Sequence, residues 1–214
     1  MGLFICLRQP SRDKIKEHIK IEADLINRYG FQLITQEDSD RISELISDTT
    51  NDKNEKFCTY LDKEGELQGI DTSILKRHTT RGDNTVLILS TKDSIEEVDS
   101  ANDIRAVLTF KYEDATEYKD LDIEALCSNQ ITKLGGGKIL LDNLIAVCRE
   151  NEIRKINLFA ANNAISFYAK NGFINESEIH PNIMSLQLGG RKSLKKRKCR
   201  KSLKKRKCRK SLKK

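Results

Sequence analysis

The sequence predicts one α/β (α+β) domain, a mixed sheet flanked by helices, carrying a basic appendage. Three observations predict it. Between Asp122 and Phe173 the chain runs strand, glycine loop, amphipathic helix, strand and a second glycine-closed turn. Elsewhere in the body, apolar residues switch between alternating and helical spacing. The 214 residues, 37% of them hydrophobic, suit one core of ordinary size.

The elements follow in order. From Asp13 to Tyr29, Ile15, Ile19, Ile26 and Tyr29 recur at helical spacing up to Gly30. This predicts a helix in an N-terminal extension of residues 1–30, ahead of the main domain at 31–188. Phe31 to Thr35 reads as a strand, and Asp38 to Ser47 as a helix with Ile42, Leu45 and Ile46 on one face. Thr49 to Thr85 is polar and aperiodic, and no element is assigned there. Val86 to Ser90 and Ile104 to Tyr112 read as strands, as do Leu121 to Cys127, Ile156 to Ala160 and Ile183 to Leu188. The strands around the glycine loop would be parallel neighbours joined by a right-handed crossover.

Gly189-Gly190 reads as a hinge before a repeat, Arg-Lys-Ser-Leu-Lys-Lys-Arg-Lys-Cys, that begins at Arg191, returns at Arg200 and is truncated from Arg209. Its period of nine puts Leu194, Leu203 and Leu212 on alternate faces of either a helix or a strand, so no apolar stripe forms. Dense like charge then predicts a disordered tail over 189–214. Such a tail attracts nucleic acid or another polyanion without reading its sequence. It resembles the Lys-, Ser-, Leu- and Arg-rich tails on proteins of large DNA viruses.

The formal charge of +7 hides a division. Sixteen of the thirty-nine Lys and Arg lie in the last twenty-four residues, which leaves 23 − 32 = −9 for the body up to Gly190. An acidic body favours a cationic substrate.

The central motif is Thr132-Lys133-Leu134-Gly135-Gly136-Gly137-Lys138, followed by Leu140, Leu141, Leu144, Ile145, Val147 and Cys148 at helical spacing. Its glycines therefore sit at a helix N-terminus. There, unpaired N–H groups and the macrodipole stabilise an anion such as a pyrophosphate, and the lack of side chains allows close approach. A nucleotide-triphosphatase loop fails, since Thr132 stands where its first Gly should be and Ile139 where Ser or Thr should follow Lys138. A dinucleotide fingerprint lacks its third glycine, because Leu140 is there.

About thirty residues on, Asn162-Asn163-Ala164-Ile165-Ser166-Phe167-Tyr168-Ala169-Lys170-Asn171-Gly172-Phe173 reads as a short helix. Asn162 or Asn163 would cap its start, Asn171-Gly172 would end it in a left-handed turn, and Phe173 would fold back on it. Together the two motifs resemble those of the GNAT superfamily of N-acetyltransferases over roughly Val86 to Leu188. Gly135 and Gly137 match its loop, where Thr132 replaces the usual Arg or Gln. Ala164, Phe167, Tyr168, Gly172 and Phe173 match its second segment.

The resemblance implies a mostly antiparallel sheet with one parallel pair splayed apart to admit acetyl-CoA. The backbone of Leu126, Cys127 and Ser128 would receive the pantetheine arm. Thr132, Lys133, Leu134, Gly135, Gly136, Gly137 and Lys138, with Asn162 and Asn163, would complete the cofactor site. Tyr168 occupies the position of a tyrosine near the coenzyme sulfur and would act as general acid. The base is read from the residues: Asp122 and Glu124 share one strand face, and Glu124 is the candidate. The expected activity is acetyl transfer to a primary amine of a small molecule or protein. The alternative is a GNAT-like body without turnover whose basic tail contacts nucleic acid.

The six cysteines include no Cys-x-x-Cys, and none has a histidine at ligand spacing, so no metal site is expected. Cys127 and Cys148 lie in apolar periodic segments and read as small hydrophobes. This implies a reducing compartment, cytoplasmic or nuclear, without disulfides. His18, His78 and His180 are far apart in sequence and read as solvated or core residues. The apolar run Leu3 to Leu7 is too short for a signal peptide, and no segment is long enough to span a membrane.

Overall fold

A computed structural model describes residues 1–7, 15–48, 57–62, 64–81, 84–112 and 120–189. Gly190 and the repeat lie outside the described residues, so the predicted disordered tail does too. The sheet contains β1 (Leu3–Cys6), β2 (Gln32–Ile34), β5 (Thr85–Ser90), β6 (Ile104–Tyr112), β7 (Asp120–Ser128), β8 (Lys155–Phe159), β9 (Ile174–Asn175) and β10 (Ile183–Gln187). Its order is β2-β1-β5-β6-β7-β8-β10-β9. The β1/β2 and β7/β8 pairs are parallel and the rest antiparallel.

Helices cover both faces. On one side lie α1 (Ile15–Tyr29) and α4 (Gly137–Glu150), whose Leu25, Leu140, Leu144 and Cys148 pack on Leu87, Leu108, Phe110 and Ile156. On the other lie α2 (Gln36–Asp48) and α3 (Thr72–Thr80), whose Ile42, Ile46 and Leu75 pack on Phe4, Ile88 and Val107. A strand covered on both faces needs a continuous apolar run, and Thr-Val-Leu-Ile-Leu-Ser of β5 is buried throughout.

Two expectations about the N-terminal half need correction. Residues 1–30 do not form an extension. β1 sits inside the sheet between β2 and β5, with Phe4 and Ile5 fully buried, and α1 is tied to the end of α4 by Asn151 Nδ2, which donates to Asp24 Oδ2 at 2.7 Å. Four apolar residues are too few to carry a periodic signal, and only their neighbours make them a strand.

The aperiodic stretch also contains structure: β3 (Thr59–Leu61), β4 (Leu67–Gly69) and α3. Polar caps build it. Asp62 Oδ1 accepts from the N–H groups of Glu64 and Glu66 in the hairpin turn, and Asp71 Oδ1 accepts from Ser73 N at the start of α3.

The hairpin docks at the end of β7, where Gln130 N donates to Phe57 O at 2.9 Å and Cys58 is disulfide-bonded to Cys127. The expectation of no disulfide is therefore overturned. The partners are 69 residues apart, and only docking of the hairpin brings them together. Cys148 is a buried free cysteine in α4.

A β-bulge interrupts the β6/β7 ladder. Thr109 pairs with Ala125 and Phe110 with Ile123, leaving Glu124 as the extra residue. The bulge exchanges the faces of β7. Leu121 and Ile123 pack with α4, whereas Ala125 and Cys127 beyond it join the α2/α3 layer.

Candidate active site

The bulge lies where β7 and β8 part. Their parallel pairing runs from Asp120↔Lys155 to Ile123↔Leu158; β8 then ends at Phe159, while β7 continues to Ser128. Glu124 to Ser128 therefore present a sheet edge with no strand paired on that side among the described residues. A cavity of about 210 Å³ lies along this edge, and Cys58, Leu158, Asn163 and Tyr168 are among the residues that close it. Leu126, Cys127 and Ser128 line it.

At the far end of that edge, Gly137 N donates to Ser128 Oγ at 2.9 Å, which joins the cavity to the N-terminus of α4. Close packing accounts for two of the glycines. Gly136 has φ +144°, and a Cβ there would come within 2.8 Å of Leu89 Cδ2; one on Gly137 would lie 2.7 Å from Ser128 Oγ. Gly135, at φ +66°, faces open space.

Two residues not picked out from the sequence shape the glycine loop. Asn129 is buried. Its Oδ1 accepts from Ile131 N and Thr132 N, while its Nδ2 donates to Ala101 O and Ile104 O, each at 2.9 Å. Arg105 donates from Nη2 to Leu134 O at 2.8 Å and from Nε to Gly135 O at 3.3 Å. It thereby holds a guanidinium beside a loop in which Thr132 supplies no charge.

The loop fits a phosphate-bearing ligand. It opens a 14-residue helix, and Thr132 Oγ1 is buried without a hydrogen-bond partner among the described residues. Lys133 is exposed, in a left-handed conformation with φ 54°. Lys138 is engaged elsewhere, its Nζ bonding both carboxylate oxygens of Asp142 at 2.6 and 2.8 Å.

The second motif forms a 3₁₀ turn, Asn162–Ala164, running into α5 (Ile165–Lys170). Its stop follows the expected pattern. Phe173 N donates to Tyr168 O and Gly172 N to Ala169 O, with Gly172 at φ +90° and the Phe173 ring 5.5 Å from that of Tyr168. The expected asparagine cap is absent, since neither start carries a side-chain cap bond. Asn162 Oδ1 instead accepts from Asn182 Nδ2 at 2.7 Å, which ties the turn to the loop before β10; Asn163 lines the cavity.

Tyr168 is buried and lines the cavity, and burial pushes its phenol well above the ordinary range. It therefore keeps its proton at neutral pH. On the other wall Glu124 has two polar neighbours. Lys111 Nζ forms an ion pair with Oε1, and His78 Nδ1 lies 3.3 Å from Oε2. Asp122 projects to the same side and accepts from Asn157 Nδ2 at 3.1 Å.

His78 is buried, one of the two roles expected of it, and α3 places it beside Glu124. Its pKa is lowered by burial, against the opposing pull of Glu124. Sequence separation concealed His78, Lys111, Arg105 and Cys58. Asn129 alone carried a local signal, as an Asn directly after a strand and before a turn.

No family model matches this chain, and no curated protein does. Solved structures similar to it include Gcn5 from Tetrahymena, at 11% identity over 88% of this chain and 97% of that one, with a TM-score of 0.45. A mutant AtaT toxin bound to the C-terminus of the antitoxin AtaR and acetyl-CoA is 15% identical over 65% of this chain and 91% of its own, with a TM-score of 0.45. A GNAT family acetyltransferase from Elizabethkingia anophelis with acetyl-CoA bound is 12% identical over 54% and 82%, with a TM-score of 0.39. Among the described residues, no helix is long and apolar enough to cross a membrane.

Proposed function

We propose that the chain is an acetyl-CoA-dependent N-acetyltransferase acting on a primary amine. One observation carries the reading: the open edge of β7 from Glu124 to Ser128 links a cavity flanked by Glu124 and Tyr168 to the glycine-started helix α4. Bound there, acetyl-CoA supplies an activated acyl thioester. The backbone of Leu126, Cys127 and Ser128 offers the groups that hold pantetheine amides, in the way an added strand would pair. The start of α4 and the Thr132–Lys138 loop receive the pyrophosphate, with Arg105 adding the cation that Thr132 lacks.

Glu124 accepts the proton of the incoming ammonium at the carboxylate paired with Lys111 and lying beside His78, which frees the amine lone pair for attack. Tyr168 delivers its phenolic proton to the departing sulfur and prevents the thiolate from re-adding. The acidic body, −9 by the count above, favours a polyamine or basic peptide as acceptor.

The test is binding followed by turnover. Acetyl-CoA should raise the melting temperature of the purified chain, and a panel of primary amines should then release free coenzyme thiol. A melting temperature unmoved at millimolar acetyl-CoA rejects the reading. The basic repeat supports a separate contact with nucleic acid by charge alone. Removing residues 189–214 should abolish retention on DNA and leave the acetyl-CoA response intact.

A further inference from the structure

The only disulfide among the described residues lies in the wall of the cavity. Cys58 and Cys127 both line it, and Cys127 belongs to the open edge of β7. The link joins the residue just before the small hairpin sheet to the large sheet, within the core between β7 and the α2/α3 layer. The hairpin also closes in on the site from the other direction. Gly69 and Ile70 at the end of β4 line the same cavity, and a Cβ on Gly69 would lie 2.1 Å from Cys58 O. The bond thus fastens the hairpin across the route proposed for the pantetheine arm. Acetyl transfer would leave a free thiol in that route after every turnover.

We infer that the Cys58–Cys127 pair is a thiol-exchange site for coenzyme A, so that the deacylated product can be captured covalently on β7. This rests on the proposed function for the placement of the coenzyme. In the exchange, Cys127 Sγ forms a bond to the coenzyme sulfur while the Cys58–Cys127 bond breaks. Cys58 leaves as a thiolate and takes up the proton released by the coenzyme thiol. One disulfide and one thiol enter and one of each leave, so no external oxidant or reductant is required.

Two consequences follow for the site. The hairpin loses its covalent tie to β7, and the cavity is filled by a ligand that cannot dissociate. Free coenzyme A thereby blocks the site when it accumulates over acetyl-CoA, which has no thiol to exchange. A thiol reductant reverses the block by freeing the coenzyme.

The experiment incubates the full chain, purified without reductant, with coenzyme A, glutathione or acetyl-CoA. It quenches with iodoacetamide and reads intact mass and mapped peptides. At about 0.1 mM thiol, coenzyme A should label at least about tenfold faster than glutathione, because a thiol held by its own binding site reacts at an effective concentration in the millimolar range. The adduct should map to Cys127, with Cys58 becoming alkylatable in step. Added acetyl-CoA should slow labelling, and C58S should give no exchange at this position.

Equal labelling by coenzyme A and glutathione, an adduct confined to the other cysteines, or an unreduced chain in which Cys58 is already alkylatable each overturns the inference. A parallel thermal shift with acetyl-CoA separates the two readings. Stabilisation without an adduct rejects exchange and keeps the acetyltransferase. An adduct on Cys127 without stabilisation keeps exchange and rejects the acetyltransferase. Neither signal rejects both.

Discussion

His78 Nδ1 lies 3.3 Å from Glu124 Oε2, so a helix from a sequence stretch with no periodicity supplies a neighbour to the carboxylate on the bulge of β7. Burial is the largest influence on His78 and lowers its pKa from 6.5; Arg77, Arg81 and Lys111 act in the same direction, against Glu124. A histidine with a depressed folded-state pKa is bound to more protons in the unfolded chain. Its contribution to stability is therefore complete above pH 6.5 and is lost as pH falls through the folded value. The melting temperature of the wild type should decline more steeply than that of His78→Gln as pH is lowered from 7 to about 5. Parallel curves for the two proteins would show that His78 does not titrate differently on folding.

Gly137 should be intolerant of any side chain. A Cβ would press on Ser128 Oγ, displace the hydroxyl that accepts from Gly137 N, and fill the helix start where an anion would approach. Gly137→Val should remove stabilisation by acetyl-CoA while the far-ultraviolet circular dichroism stays that of the wild type. Full ligand stabilisation in that variant would move the phosphate site elsewhere.

Tyr168 sits between Phe167 and Phe173, with ring centroids 5.2 and 5.5 Å away. Phenylalanine keeps this packing and removes only the hydroxyl. Tyr168→Phe should therefore lower kcat by about 10²-fold or more with little change in acetyl-CoA affinity. Since burial pushes the phenol up, no alkaline limb from Tyr168 should appear in the pH profile below pH 10, the ordinary value for tyrosine. Unchanged turnover in the variant would leave Tyr168 with a packing role alone.

Asn129 anchors the loop through both ends of its side-chain amide. Asn129→Ala would strand the N–H groups of Ile131 and Thr132 and the carbonyls of Ala101 and Ile104. The expected cost is on the order of 3 kcal/mol in urea unfolding, because several buried polar groups lose their partners together. Acetyl-CoA binding should weaken in parallel. A variant as stable as the wild type would mean that water replaces the amide.

What the sequence by itself determined is local. Ile104 to Tyr112 alternates and is the strand it was read to be, the glycines do open a helix, and Asn171-Gly172-Phe173 ends α5 by the expected turn. In each case, period, backbone freedom and capping chemistry act within a few residues, so the code is complete over a short window. Tertiary structure alone decided the rest. β1 is a strand because β2 and β5 flank it. Glu124 became a bulge because β6 pairs out of step across it, and Asn162 gave up capping for a bond to Asn182. Cys58, His78 and the β6 pair Arg105 and Lys111 reach the site from three separate segments. Their placement depends on how sheets and helices stack, and no periodicity along the chain records the neighbours that stacking creates.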